Sequence, residues 1–243
     1  MKSLLLRLDQ LFPYQARTDT PISPWMIYSL LAYTAFCLTV LEYFGRPEFF
    51  TRQFPELATH AFGLYPHLWW AASTLILLLL VPVLMVRLLF DHRLDDYGFR
   101  TIIKKRHLLL YLGLLVAMLP IVAYTAGRPD FQGIYPFYRG AYSATTAQVT
   151  AWEFFYLSQF IAVEFFFRGF LLFGLERVMG RYAIWVAMLP YCMLHFHKPP
   201  LEAFAAIVAG LILGEVALRT RTLWGGVMVH VGVAGFMEFL ILR

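Results

Sequence analysis

Apolar residues along this chain fall into long blocks, and the short stretches between them carry most of the charge. A helix crosses the hydrocarbon core of a bilayer with about 20 residues, within a range of about 17–25. On that measure the pattern predicts seven spans, at about 24–44, 68–90, 108–126, 146–178, 182–197, 201–218 and 223–242. The fourth stretch is longer than a bilayer needs, so its end is expected to protrude or kink. The fifth is short, with Pro190 inside it. The region 45–66 contains Pro47, Pro55 and Pro66 and is harder to assign; an eighth helix there would reverse the topology of everything after it. No internal repeat and no low-complexity linker divides the chain, so residues 1–243 read as one integral membrane domain.

Composition points the same way. Apolar residues make up 60% of the 243 residues and charged residues only 14%. That much apolar surface does not fit inside a soluble globule of this size, which leaves an all-α polytopic membrane helix bundle. The net charge of +5 is spread over short loops and is no nucleic-acid footprint. With the N-terminus placed in the cytoplasm, 13 of the 20 Lys and Arg residues lie on the inner side and six on the outer, with Arg168 in the membrane. The excess of basic residues inside favours this orientation and an outer C-terminus. The first 23 residues carry Asp9, Asp19 and two prolines, Pro13 and Pro21, which speaks against a cleaved signal peptide and for a true first span. Cys37 and Cys192 lie in apolar runs and read as buried thiols.

Ionisable side chains at mid-membrane depth cost several kcal/mol by estimates starting at roughly 2.5, so they face a protein interior or a wet cavity and are functional candidates by default. The fourth span holds Glu164 and Arg168 in AVEFFFRGF, the fifth His195 and His197 in LPYCMLHFH, and the seventh His230 and Glu238. Glu164 and Arg168 are four residues apart, hence on one helix face and able to pair, which keeps the carboxylate ionised. Tyr191 and His195 have the same spacing, although Tyr191 reads as packing. His197 reads as interfacial, Glu238, Glu153 and Glu202 as solvated, interfacial or structural, and Glu215 as lying near the cytoplasmic end of its span. Three spans thus each offer an imidazole or carboxylate. Such a set suits attack of water on a carbonyl, with one group taking the proton and a polar donor stabilising the oxyanion.

The strings EFFFRGF, YCMLHF and GGVMVH, in that order on three predicted spans, resemble the CPBP family, the CAAX protease and bacteriocin-processing or Abi proteins. Its marks are EExxxR, FxxxH and HxxxN-type motifs. The resemblance covers about residues 95–240, including DDYGFR before the third span. It implies a glutamic intramembrane endopeptidase of bacterial type that works without a bound cofactor. By the same resemblance Glu164 with His195 activates water, Arg168 holds the glutamate's charge, and His230 stabilises the oxyanion. Implied partners are the lipid bilayer and a membrane-anchored protein or peptide substrate, and the implied location is the bacterial inner (cell) membrane. Three positions depart from the pattern: Val163 replaces the first glutamate, Ala234 the asparagine and Tyr191 the phenylalanine.

Other readings stay open at this level. Val163 and Ala234 support a non-catalytic relative that binds a membrane peptide. A small transporter would line its path with the same charges, but two-fold repetition of the hydrophobic layout is absent. A zinc site from Glu164, His195 and His230 is chemically sound, without an HExxH motif to support it. One geometric tension also stands. The predicted spans put Glu164 near mid-membrane, His195 toward the outer side and His230 toward the inner side.

Overall fold

The computed structural model describes residues 13–14, 23–100 and 104–243; the N-terminal Lys2, Arg7 and Arg17 of the charge count lie outside them, as do Asp9 and Asp19. Among the described residues every regular element is helical, as expected for an all-α membrane bundle. Six segments are long and apolar enough to cross a bilayer. One of these, Thr146–Met193, is 48 residues long and bends back on itself, so the bundle contains seven apolar rods.

Helix α1 (Pro24–Gly45) opens on a proline, whose missing N–H costs nothing in a first helical turn. Two short helices follow, α2 (Pro47–Gln53) and α3 (Pro55–Thr59). Neither can span a membrane, so the proline-rich region adds no eighth crossing. Ala61 and Phe62 then adopt left-handed backbone before α4 (64–89). Helix α5 (Lys105–Ala126) comes next. A loop follows and packs against the start of α4. In it Tyr138 donates to the Ala61 carbonyl at 2.8 Å, and His67 of α4 reaches the Phe137 carbonyl at 2.7 Å.

Helix α6 (146–179) is the central rod. Thr145 and Gln148 form a reciprocal capping box at its start, which satisfies two of the backbone donors a helix N-terminus leaves open. Up to Glu164 it is an ordinary α-helix; from Phe165 to Phe173 it widens into π-helical turns. Every residue of that wide stretch is buried, and Phe165, Phe166, Phe167 and Phe170 form the middle of the main core. Gly180, at φ +56°, reverses the chain. Helix α7 (Ala183–Met193) then runs back alongside the π-helical stretch. Pro190 lies within α7, which ends before His195; the expected span to 197 finishes in turns. Helices α8 (Pro200–Thr220) and α9 (Trp224–Ile241) complete the bundle, α8 against α7 and α9 against α5 and α6. Outward-facing apolar side chains such as Phe36, Leu88, Val116, Phe154, Leu189 and Phe204 are left for the lipid.

The depth tension has a physical resolution. The stretch before α5 and the turn before α9 fold up against the middle of α6. The Phe99 ring touches both Phe165 and Trp224, at 4.8 and 5.9 Å between centroids, and the Leu223 N–H donates to Gly98 O at 3.0 Å. Helix α9 therefore begins beside the centre of α6, and His230 rises to the level of Glu164. Because α7 returns from the Gly180 turn, its far end reaches that level as well. At the end of the bundle near the Gly180 turn the helices are held by charge pairs: Arg219 with Glu215 at 2.6 Å, Arg221 with Glu176 at 2.6 Å, and Arg181 with Glu215.

Close approach of α7 and α8 depends on Gly210 and Gly214, one turn apart. A Cβ on Gly210 would lie 2.9 Å from Met188 Cγ, and one on Gly214 would lie 2.9 Å from Ile184 Cγ2. Small residues at such spacing let membrane helices approach to backbone contact. Gly214→Leu should cost about 1–3 kcal/mol by overpacking, read as a lower thermal midpoint in detergent. Gly113→Ala is the control, since nothing lies within 4 Å of the added Cβ. Equal midpoints for both variants would contradict this packing.

Candidate active site

Glu164 is the last residue of the α-helical part of α6, and its side chain has no contact with solvent. Arg168 follows four residues later on the same face, equally buried, with Nη1 3.3 Å from Glu164 Oε1. A charged pair this deep holds only when each charge compensates the other. The same Oε1 lies 2.6 Å from Nδ1 of His230 on α9. An ionised carboxylate only accepts hydrogen bonds, so His230 Nδ1–H is the donor. The Phe160 ring stacks on the His230 ring at 5.2 Å and 26°, fixing its plane.

This approach of α9 to α6 is possible because residue 226 is glycine. A Cβ there would stand 2.2 Å from Glu164 Oε2. Gly226 is one turn before His230, so the residue that admits the carboxylate and the residue that binds it share one helix face.

Tyr191 of α7 stands in the centre. Its hydroxyl is 2.8 Å from His230 Nε2, and the Arg168 guanidinium carbon lies 4.1 Å from its ring centroid, a cation–π contact. Its backbone carbonyl lies 3.0 Å from Nδ1 of His195, and its ring packs against the His195 ring at 4.9 Å. The structure thus brings Glu164, Arg168 and His230 into direct contact and joins His195 to them through Tyr191. A cavity of about 10 Å³ beside Arg168 and Tyr191 has room for roughly one water.

Sequence reasoning placed Tyr191 among packing residues. Its spacing from His195 was a signal, but only the fold shows its hydroxyl meeting His230. Gly226 carried no signal beyond its place one turn before a histidine. The remaining candidates lie elsewhere. Glu215 belongs to the charge network with Arg181 and Arg219, and His197 lies 3.2 Å from Glu42 at an exposed surface. Glu202 pairs with Lys198 at 2.7 Å and accepts from the Tyr135 hydroxyl at 2.7 and 2.9 Å. Burial and the Glu202 charge push the Tyr135 phenol well above its ordinary value, so it remains a donor in this cluster. Glu238 is buried rather than solvated, 1% exposed, with neither carboxyl oxygen hydrogen-bonded. Both cysteines are free; Cys37 is buried and Cys192 half-buried. Among the described residues no cluster of three or more His, Cys, Asp or Glu is arranged to hold a metal ion.

Residues 145–236, a little over a third of the chain, match the family model described as type II CAAX prenyl endopeptidase, Rce1-like. The match bears out the resemblance to the CPBP family. It contains Glu164, Arg168, Tyr191, His195 and His230. No curated protein and no solved structure shows significant similarity to the chain.

Arg168→Ala would leave Glu164 as a buried charge balanced by a neutral imidazole alone. Breaking one partner of a buried pair costs about 3–5 kcal/mol. Thermal unfolding in detergent should show a large drop in midpoint together with reduced folded yield. A wild-type midpoint would mean that the pair is solvated.

Proposed function

We propose that this chain is a glutamic intramembrane endopeptidase that hydrolyses a peptide bond in a membrane-anchored protein or peptide. The observation that carries the proposal is the contact of a fully buried, arginine-paired carboxylate with an imidazole, Glu164 to His230 at 2.6 Å, inside the region that matches a prenyl endopeptidase family. Buried ionisable groups of this kind are costly in a membrane and mark functional sites.

The chemistry follows from what each group has left to offer. His195 spends Nδ1–H on the Tyr191 carbonyl, so its Nε2 lone pair is free for a water proton. Glu164 supplies the negative charge that favours the resulting imidazolium, and Arg168 keeps that carboxylate ionised and in place. His230, tied to Glu164 through Nδ1, marks the side of the site where the carbonyl oxygen of the scissile bond lies. The reading needs no resident metal or other cofactor. The substrate is an anchored segment entering sideways from the lipid. The charge bias of the loops supports a cytoplasmic N-terminus, and the family resemblance supports a bacterial inner membrane.

A second reading rests on Val163. Where the CPBP motif has two adjacent glutamates this chain has one, and a relative that binds membrane peptides without cutting them would have the same core.

The test uses purified protein in detergent with an internally quenched peptide ending in a prenylated CAAX sequence. Wild type should cleave it, and a chelator of divalent metals should leave the rate unchanged. Glu164→Gln, His195→Ala and His230→Ala should each reduce cleavage by about 10²–10⁴-fold. Full activity of Glu164→Gln would remove the glutamate from the mechanism. Cleavage by Val163→Glu but not by wild type would favour the binding-only reading, as would peptide binding without hydrolysis.

A further inference from the structure

We infer that the Tyr191 hydroxyl is the oxyanion donor of this site, a role that rests on the endopeptidase reading above. The argument begins with the protons on His230. Its Nδ1–H is committed to Glu164 Oε1 at 2.6 Å, so in the neutral ring Nε2 carries no proton. A bare Nε2 cannot stabilise an oxyanion. What meets it, at 2.8 Å, is the Tyr191 hydroxyl, which donates its proton to the nitrogen in the resting site. Tyr191 therefore supplies the mobile O–H on this side of the site. On α9, one turn beyond His230, Ala234 offers no donor.

The tyrosine is also held as a pre-organised donor must be. It is 2% exposed. Arg168 lies over its ring and Phe167 meets the ring edge at 5.3 Å. A Cβ on Gly210 would lie 3.2 Å from its Cδ1, so α8 closes the remaining side. The same residue fixes His195 through its backbone carbonyl. One side chain and its own peptide group thus set both the acceptor of the water proton and the donor to the carbonyl oxygen. Donors fixed before the reaction stabilise developing charge without reorganisation at the moment it forms.

The step balances without any co-reactant. The water oxygen bonds to the carbonyl carbon while its proton passes to His195 Nε2. The carbonyl π pair moves onto oxygen, and Tyr191 O–H turns from His230 Nε2 to that oxyanion. The intermediate collapses with loss of the amine, which takes the proton from His195, and Tyr191 returns to His230. The products are one carboxylic acid and one amine.

Tyr191→Phe keeps the ring, its packing and the cation–π contact and removes only the hydroxyl. On the quenched prenylated peptide, kcat should fall by about 10²–10³-fold, the usual loss for one oxyanion donor, with KM within about twofold. A merely structural tyrosine would shift the thermal midpoint or KM instead. An unchanged kcat in a variant of a wild type that cleaves overturns the inference and leaves the endopeptidase reading standing. A wild type that cleaves nothing overturns both. A second measurement does not depend on substrate: nitrogen NMR of ring-labelled histidines in the wild-type protein. Nδ1-protonated His230 whose Nε2 resonance moves in Tyr191→Phe supports the inference. An Nε2-protonated ring, or an Nε2 resonance indifferent to the substitution, overturns it.

Discussion

A carboxylate with no solvent contact, placed inside a membrane helix bundle, sets the terms for the rest of this protein. Glu164 is tolerated there because Arg168, on its own helix, and His230, from a neighbouring one, meet the same oxygen. The cost of an uncompensated charge in a low-dielectric interior is several kcal/mol, comparable with much of the net stability of a folded chain. The bundle therefore has to deliver both partners together. That requirement explains why α9 carries Gly226 against the carboxylate, why its start is drawn up beside the centre of α6, and why the loop at Gly98 and Phe99 packs into the core rather than lying at the end of the bundle.

The widened helix from Phe165 to Phe173 serves the same end. Single π turns are common at functional sites, where they turn side chains away from the ordinary helical face. Here the wide stretch begins directly after Glu164 and contains Arg168, and its five phenylalanines are all buried in the main core. The aromatic packing is thus the low-dielectric wall of the charge pair. In such surroundings each electrostatic contact counts for more than it would in water. Tyr191 extends the arrangement to α7 through one cation–π contact, one hydroxyl and one carbonyl.

Much of this was legible in the sequence, because the membrane makes its signals strong. Apolar blocks gave the helices to within a few residues, and the four-residue spacing of Glu164 and Arg168 gave the pair. The chain reversal after Met179 was legible too, since residues 146–178 and 182–197 were separate spans. Depth was not. Counting 1.5 Å per residue from assumed span ends put His195 and His230 on opposite sides, because nothing in the pattern shows that the Gly98 and Leu223 backbones bond to each other well above the ends of the longest helix. Tyr191 was missed for a related reason. A tyrosine in an apolar helix is more often packing, and only the approach of α9 gives its hydroxyl a partner. Glu238, read as solvated or structural from its place near the end of the last helix, is buried.

Charge balance gives the single carboxylate a meaning of its own. With Val163 beside it, Glu164 is the one carboxylate among the described residues that pairs with Arg168, and with both imidazoles neutral, as the proposed mechanism takes them, the resting site carries no net charge. In the proposed reaction the water proton makes an imidazolium of His195 as the carbonyl oxygen becomes an oxyanion, and the sum remains zero at the intermediate. A second carboxylate at 163 would leave the resting site with a net negative charge, opposing an oxyanion and demanding another cation or a bound proton. Among the described residues the guanidinium that meets Glu164 is that of Arg168. The neutral hydroxyl of Tyr191 fits the same constraint, since it stabilises the oxyanion without adding a charge that the dry interior would have to balance.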